Sequence, residues 1–439
     1  MNFILGLPLE VRLVFLFVLG VVVGNLANSA IYAWAYQPRR ESPWLGSHPR
    51  DDKSNWLDLL PLFGWRRLHR KSGELGRGFW LRPIVVELLA GALFAGLYYW
   101  EIGRLALVRP FLILPNGGLL QLAPNLNLET WQALHIGYAG QVLLFTFLLI
   151  ATFIDLDEQT IPDAVTVPAA LAGLVLAAMF PGSFMPGEIH AAGGGNQVIE
   201  IVTLAFPSCD LARWPQALAG APQRFSLLVA LGCFWGWCAA LLPWLWLPRR
   251  GFAKAVRMFV AYAMRGSNFA VVATAFVLGS AGIVLVWRSG GLPWIGLLTS
   301  LVGLAVGGGL IWLVRVIGAV TLGREAMGFG DVTLMAAIGS FVGWQACVMI
   351  FFLAPCLGLV LGIAQLILGG GRQIPYGPFL CLATLVVVLA WRSCWEWFGP
   401  FFFDPWLVPA VMGICFVALF LMLGALQFVR NRLFPRIGK

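Results

Sequence analysis

Gly330-Asp331-Val332-Thr333-Leu334-Met335-Ala336-Ala337-Ile338-Gly339-Ser340-Phe341 opens the longest apolar run of this chain, which continues to residue 369 without another Asp, Glu, Lys or Arg. A helix needs roughly 20 apolar residues to cross the hydrocarbon of a bilayer, so this run suffices for two passes. Working outward, further apolar runs occupy 11–34, 84–100, 137–154, 165–180, 225–247, 269–287, 292–314, 377–391 and 406–429. One buried core does not absorb that much. The composition agrees, with 60% of residues hydrophobic and 11% charged, against about 25% charged in a soluble chain. The expected fold is an all-α, polytopic transmembrane helix bundle of about eleven spans. A soluble globular domain is excluded.

Lys and Arg set the orientation. The stretch 36–83 holds ten, 248–268 holds five and the tail 430–439 holds four. Helix parity puts these on one side together with Arg315, Arg324 and Arg372, which makes 22 of the 29 basic residues. Basic loops stay in the cytoplasm, so this side is read as cytoplasmic, with Asp155 and Asp331 on it. The net charge of +9 is then membrane topology, drawn to anionic lipid, and no nucleic-acid partner is expected. The N-terminal stretch has no basic n-region before its apolar run and reads as a retained first helix.

The chain divides into a first transmembrane helix at 11–34 and a cytoplasmic basic loop or small subdomain at 36–83. Helices and external loops follow over 84–224, with loops near 101–136 and 181–224. Additional helices fill 225–319, and 320–429 closes the chain. Trp44, Trp56, Trp65 and Trp80 punctuate the basic loop and suit a lipid interface. Eight cysteines are scattered with no Cys-x-x-Cys spacing. They read as buried small hydrophobes, with Cys209 and Cys394 the two that could meet outside.

Two acidic sites stand out because carboxylates at the end of a membrane helix are expensive. The first is Asp155-Leu156-Asp157-Glu158, followed by Ile161-Pro162-Asp163, where Pro162 breaks the arriving helix. The second is Glu325-Ala326-Met327-Gly328-Phe329-Gly330-Asp331. Gly328 and Gly330 permit close approach of another chain beside Asp331. Each alone also reads as ordinary acid at a helix end. Together they suggest two-aspartate chemistry, in which one carboxylate activates a water and the other, protonated, polarises a carbonyl.

With these motifs the chain resembles the type IV prepilin peptidase family, a branch of the GxGD intramembrane aspartyl proteases. Gly24-Asn25 and Asn28 to Tyr32 resemble its first-helix pattern. Asp155 with Ile161-Pro162-Asp163 resembles its first aspartate motif, and Glu325 to Asp331 with Leu334-Met335-Ala336-Ala337-Ile338-Gly339 its second. Ile374-Pro375-Tyr376-Gly377-Pro378-Phe379 resembles the segment that follows. The resemblance implies an endopeptidase removing the short cytoplasmic leader of prepilin or pseudopilin-like precursors, with Asp155 and Asp331 as the catalytic pair. It implies supporting roles for Gly328, Gly330, Glu325, Asp163 and Glu87, and none in catalysis for Asp157. Glu325 would hold the active-site loop or meet basic leader residues; Glu87 is either functional or a snorkelling acid.

Departures from the family pattern are informative. The loop 36–83 lacks the two Cys-x-x-Cys pairs of many members, and His48 with His69 does not replace them, so no zinc is expected. N-methylation of the new amino terminus, which uses S-adenosylmethionine, stays open. Thr333 stands where a lysine is common, and the excess length over an eight-span member falls at about 225–314. Two competing readings are a non-catalytic scaffold of a pilus or type II secretion apparatus, and a transporter whose acids carry protons. A scaffold needs neither both aspartates nor the glycines, and no symmetry of paired broken helices supports a transporter.

Overall fold

The computed structural model describes residues 7–36, 69, 80–107, 111–113, 119–121, 128–185, 224–242, 269–323, 325, 327–367, 375–404 and 406–433. Its helices are α1 (Leu9–Trp34), α2 (Leu81–Tyr98), α3 (Leu128–Glu158), α4 (Asp163–Met179), α5 (Arg224–Ala240) and α6 (Phe269–Ser289). They continue with α7 (Gly291–Leu322), α8 (Phe329–Ile367), α9 (Gly377–Leu389), α10 (Trp391–Phe398) and α11 (Leu407–Leu433). A short antiparallel hairpin, β1 (Phe111–Ile113) with β2 (Leu119–Gln121), pairs Leu112 with Leu120. The protein is an all-α polytopic bundle. Most of the basic loop, with its expected subdomain and His48, the loop around Cys209, and the stretch 248–268 lie outside the described residues.

Every apolar run of the sequence becomes helix, but not every helix is a full span. Seven are long and apolar enough to cross a membrane, or eight if α9 and α10, bent by 84° at their junction, count as one. Helices α4 and α5 are shorter apolar helices, which is why the hydropathy reading reaches about eleven. The 331–369 run is broken once, at Gly343, whose φ of 80° and ψ of 174° interrupt α8. Only glycine adopts that conformation at little cost. Helix α3 starts well before its apolar run, because Glu129, Thr130, Gln132 and His135 extend it into the loop read as 101–136.

The helix ends sort into two faces by contact. At one face the Tyr36 N–H, just after α1, donates to Glu158 Oε2 at the end of α3 (2.9 Å). Gly330 at the start of α8 abuts Ile161 between α3 and α4. At the other face Trp344, just past the break in α8, meets Phe402 edge-on at 5.3 Å, and Trp100 Nε1 donates to Leu389 O at the end of α9 (2.8 Å). The break at Gly343 therefore lies at the far face, and the two halves of α8 run in opposite senses.

Small residues let the helices approach. A Cβ on Gly24 would come within 2.7 Å of Glu87 Cα, and one on Gly20 within 2.6 Å of Ala90 O. This Gly-x-x-x-Gly seam joins α1 to α2 with little apolar driving force needed in lipid. A similar seam joins α7 to α8, where a Cβ on Gly307 would lie 2.5 Å from Met335 O. Helix α7 is thus part of the centre of the bundle, although the sequence reading counted most of it as additional. Helices α5 and α6 join a second apolar cluster with α4 and the first half of α7, built on Phe234, Trp237, Trp294 and Leu301.

Candidate active site

Asp155 opens the last turn of α3, and Asp331 is the third residue of α8. Both are buried, at 3% and 8% exposure, among the few buried acids of the described residues. The charge of Asp155 acts directly on Asp331, so the two carboxylates are electrostatic neighbours. Each also faces a helix amino terminus. The Gly328 N–H reaches back to the Asp331 carboxylate, the arrangement of an acid at the third helical position serving its own first turn. The Gly377 N–H, at the start of α9, faces the Asp155 carboxylate from across the fold. Asp155 Oδ2 is nonetheless buried without a hydrogen-bond partner.

Ile161 is the hub between the two motifs. Its backbone lies against Gly330, where a Cβ would come within 2.8 Å of Ile161 O and 3.0 Å of Ile161 N. Its Cδ1 lies against Gly377, where a Cβ would come within 2.8 Å. That same Cβ would overlap Asp155 Oδ2 and lie 3.2 Å from Asp155 Cγ. Gly328 differs: a Cβ there would approach nothing closer than Asp331 Oδ2, at 3.7 Å. The two glycines before Asp331 therefore do different work. Gly330 accommodates the Ile161 backbone, and Gly328 supplies an amide beside open space.

Three further side chains border the pair. Tyr376 precedes α9, and burial first, then the neighbouring Asp331 charge, push its phenol above the ordinary tyrosine value. Cys381 on α9 lies within electrostatic reach of both aspartates, hydrogen-bonds the Thr152 side chain and points its Sγ at Leu148 O, 3.7 Å away. Thr333 returns its hydroxyl to Gly330 O at 3.1 Å. Sequence reading did not single out Ile161, Gly377 or Cys381 as site residues. The signal for Gly377 was its place in the Ile374-to-Phe379 segment that resembles the family's.

The remaining acids have other partners. Asp157 pairs with Arg82 at the start of α2, and Arg82 Nη2 also donates to Phe153 O (2.8 Å). Asp163 begins α4 and acts on Tyr36, whose phenol is raised by burial and then by the charges of Asp163 and Glu158. Glu325 is exposed and pairs with Arg315 of α7 at 2.9 Å; Arg315 lies 5.5 Å from the Phe329 ring centroid, so this pair holds the approach to α8. Glu87 is wholly buried between α1 and α2. It accepts from Asn25 Nδ2 at 3.1 Å, while Asn28 Nδ2 donates to Pro83 O at 3.0 Å. The asparagines of the first-helix pattern thus serve Glu87 rather than the aspartate pair. Among the described residues no group of His, Cys, Asp and Glu could hold a metal ion.

Two buried aspartates from distant segments thus come together at one face of a many-helix membrane bundle. Residues 267–363 match the model of the type IV leader peptidase family. The match contains Asp331 and its glycines but not Asp155. Among curated relatives, a prepilin leader peptidase/N-methyltransferase of Aeromonas salmonicida is 37% identical over 79 residues, 17% of this chain and 27% of that protein. One of Myxococcus xanthus is 28% identical over 264 residues, 58% of this chain and 65% of that protein. One of Neisseria gonorrhoeae is 25% identical over 180 residues, 39% of this chain and 60% of that protein. The chain thus spans less than two thirds of the length of each. No solved structure matches it.

Proposed function

We propose that the protein is a membrane-embedded aspartyl endopeptidase that removes the short leader of prepilin or pseudopilin-like precursors, with Asp155 and Asp331 as the catalytic pair. The observation that carries this reading is the convergence of two dry carboxylates, each beside a glycine amide, with Asp155 Oδ2 lacking any partner. A buried polar atom left unsatisfied calls for an explanation, and a catalytic water or a partner's proton supplies one.

Two neighbouring carboxylates of this kind work by holding one proton between them. The ionised member takes a proton from water as the water oxygen bonds to the scissile carbonyl carbon. The protonated member gives its proton to the carbonyl oxygen. The tetrahedral diol then returns that proton, its C–N bond breaks, and the amine leaves with the proton first taken from water. Which aspartate starts protonated belongs to the pair rather than to either residue.

The basic residues gathered on the side of Asp155 and Asp331 support a cytoplasmic active site in a bacterial inner membrane. Glu325 with Arg315 positions the strand of chain entering α8, and Gly328 leaves room beside Asp331. S-adenosylmethionine would donate a methyl group to the new amino terminus if the chain also methylates. Among the described residues the buried polar groups of α1 and α2, Asn25 and Glu87, satisfy one another and form no cradle for it, so no step is assigned to that cofactor. The test is co-expression with a pilin-like precursor from the same source, followed by intact mass. Leader removal by wild type and none by Asp331→Asn supports the reading; an additional mass of about 14 Da reports one methyl group. Equal cleavage by both refutes it.

A further inference from the structure

At the face away from the aspartates, a cavity of about 370 Å³ opens between α1, α3 and the π-helical turn Tyr99–Gly103 that follows α2. Leu9, Arg12, Ile102, Gly103 and Trp131 line it. Its one charged lining residue is Arg12, and that charge is not compensated within the described residues. No carboxylate among them pairs with it, and its Nε is buried without an acceptor. Glu101 is buried on the same turn as Ile102 but acts on Tyr138 instead.

The groups that Arg12 does reach are neutral. Its Nη1 donates to Tyr98 OH at 2.9 Å. Trp131 O only accepts, so His135 Nδ1, 2.7 Å from it, carries the ring proton. With Nδ1 protonated, Nε2 of the neutral ring accepts from Tyr98 OH at 3.2 Å. The result is a fixed relay of dipoles behind the guanidinium with no negative charge in it. A cation at a membrane bundle without a counter-charge is costly, and an anion in the cavity removes that cost.

Depth identifies the anion. Trp131 and Asp155 lie on one continuous helix, 24 residues apart, or about 36 Å at 1.5 Å per residue. The hydrocarbon layer is about 30 Å thick. With the aspartates at one boundary, Arg12 and Trp131 stand at the headgroup level of the other, where tryptophan is favoured. The anion present at high density at that level is the phosphodiester of a phospholipid. The apolar walls Leu9, Ile102 and Trp131 suit the glycerol and first acyl carbons better than they suit a free ion.

We propose that this cavity binds the phosphate headgroup of a phospholipid in the leaflet opposite the aspartates, with Arg12 as the phosphate-binding cation and Trp131 flanking it. Basic pockets between membrane helices bind headgroups in this way. The inference is independent of the peptidase reading. The full-length protein in mild detergent is titrated with phosphatidylglycerol and examined by native mass spectrometry. Wild type is expected to retain one lipid, and Arg12→Gln to bind it at least 10-fold more weakly. Arg12→Lys, which keeps the charge and safeguards the fold, falls between, and Arg288→Gln, an exposed arginine elsewhere, behaves as wild type. Equal retention by Arg12→Gln and wild type overturns the proposal. Equal retention of diacylglycerol, which lacks phosphate, also overturns it, and so does full displacement by millimolar inorganic phosphate, which would make the ligand a free ion.

Discussion

Gly377→Ala tests the geometry of the aspartate pair more sharply than removing either acid. The new methyl group would overlap Asp155 Oδ2, lie 3.2 Å from its Cγ and press on Ile161 Cδ1 at 2.8 Å. Ordinary carbon–oxygen contact resumes only after the carboxylate, the most movable of these groups, retreats by about 1 Å. A misplacement of that size costs about 100-fold in rate, or about 2.7 kcal/mol of transition-state stabilisation. Overpacking should lower folding stability by about 1–3 kcal/mol, leaving an inserted protein. The assay is kcat for cleavage of a pilin-like precursor by purified protein in liposomes, with a thermal melt beside it. Gly362→Ala, where a Cβ meets nothing within 4 Å, is the control and should retain wild-type kcat. Gly328→Ala, with its nearest neighbour at 3.7 Å, should lose no more than a few-fold. A Gly377→Ala enzyme that is folded and works at the wild-type rate refutes the placement of Asp155 at the reacting atoms.

Asp155→Asn and Asp331→Asn should each abolish precursor cleavage while leaving insertion and the melt near wild type; Asp157→Asn should keep cleavage and lose at most about 1 kcal/mol through its Arg82 pair. Measuring the three side by side shows whether the right member of the first acidic cluster has been chosen. Asn25→Leu removes the donor to buried Glu87 and should destabilise the α1–α2 seam by about 1–3 kcal/mol, read as a lower melting temperature with kcat changed less than stability. Tyr36 and Tyr376 both have raised phenols in the folded state. The unfolded chain therefore loses those protons first, near pH 10, so stability should fall as pH rises above about 10. Tyr36→Phe with Tyr376→Phe should flatten that alkaline decline in melts taken across pH 8–11, and an unchanged slope would deny both burials.

How much of this was legible follows from what each signal depends on. Apolar runs report local transfer energy, so each one appears as a helix. Span count depends on where helices break and tilt, which is a packing matter, and α4, α5 and the bent α9–α10 pair fell below full length. Asp155 and Asp331 were legible because an ionisable group beside a long apolar run is expensive wherever the chain goes. Ile161 and Gly377 were not, because their importance lies in touching residues far away in sequence. Glu325 and Glu87 were visible as acids, but only contact with Arg315 in one case and Asn25 in the other separates them from the aspartate pair.

The same distinction separates the helices fitted to the one carrying Asp331 from those that are not. Comparison with an eight-span member of the resembled family put the excess at about 225–314, which includes most of α7. Packing argues otherwise. Gly303 and Gly307 of α7 lie so close to α8 that a Cβ on Gly303 would come within 2.9 Å of Gly343 Cα, and Ser300 Oγ donates to Ser340 O at 2.6 Å. A helix fitted this tightly to the one carrying Asp331 cannot be removed without moving that aspartate. The family match reaches the same division, since it runs through α7 and begins at residue 267, near the start of α6. Helix α11 is largely exposed along its length, and α5 belongs to the second apolar cluster rather than to the one holding Ile161. Those two helices are the ones whose loss the aspartate pair should survive, and α7 is the one whose loss it should not.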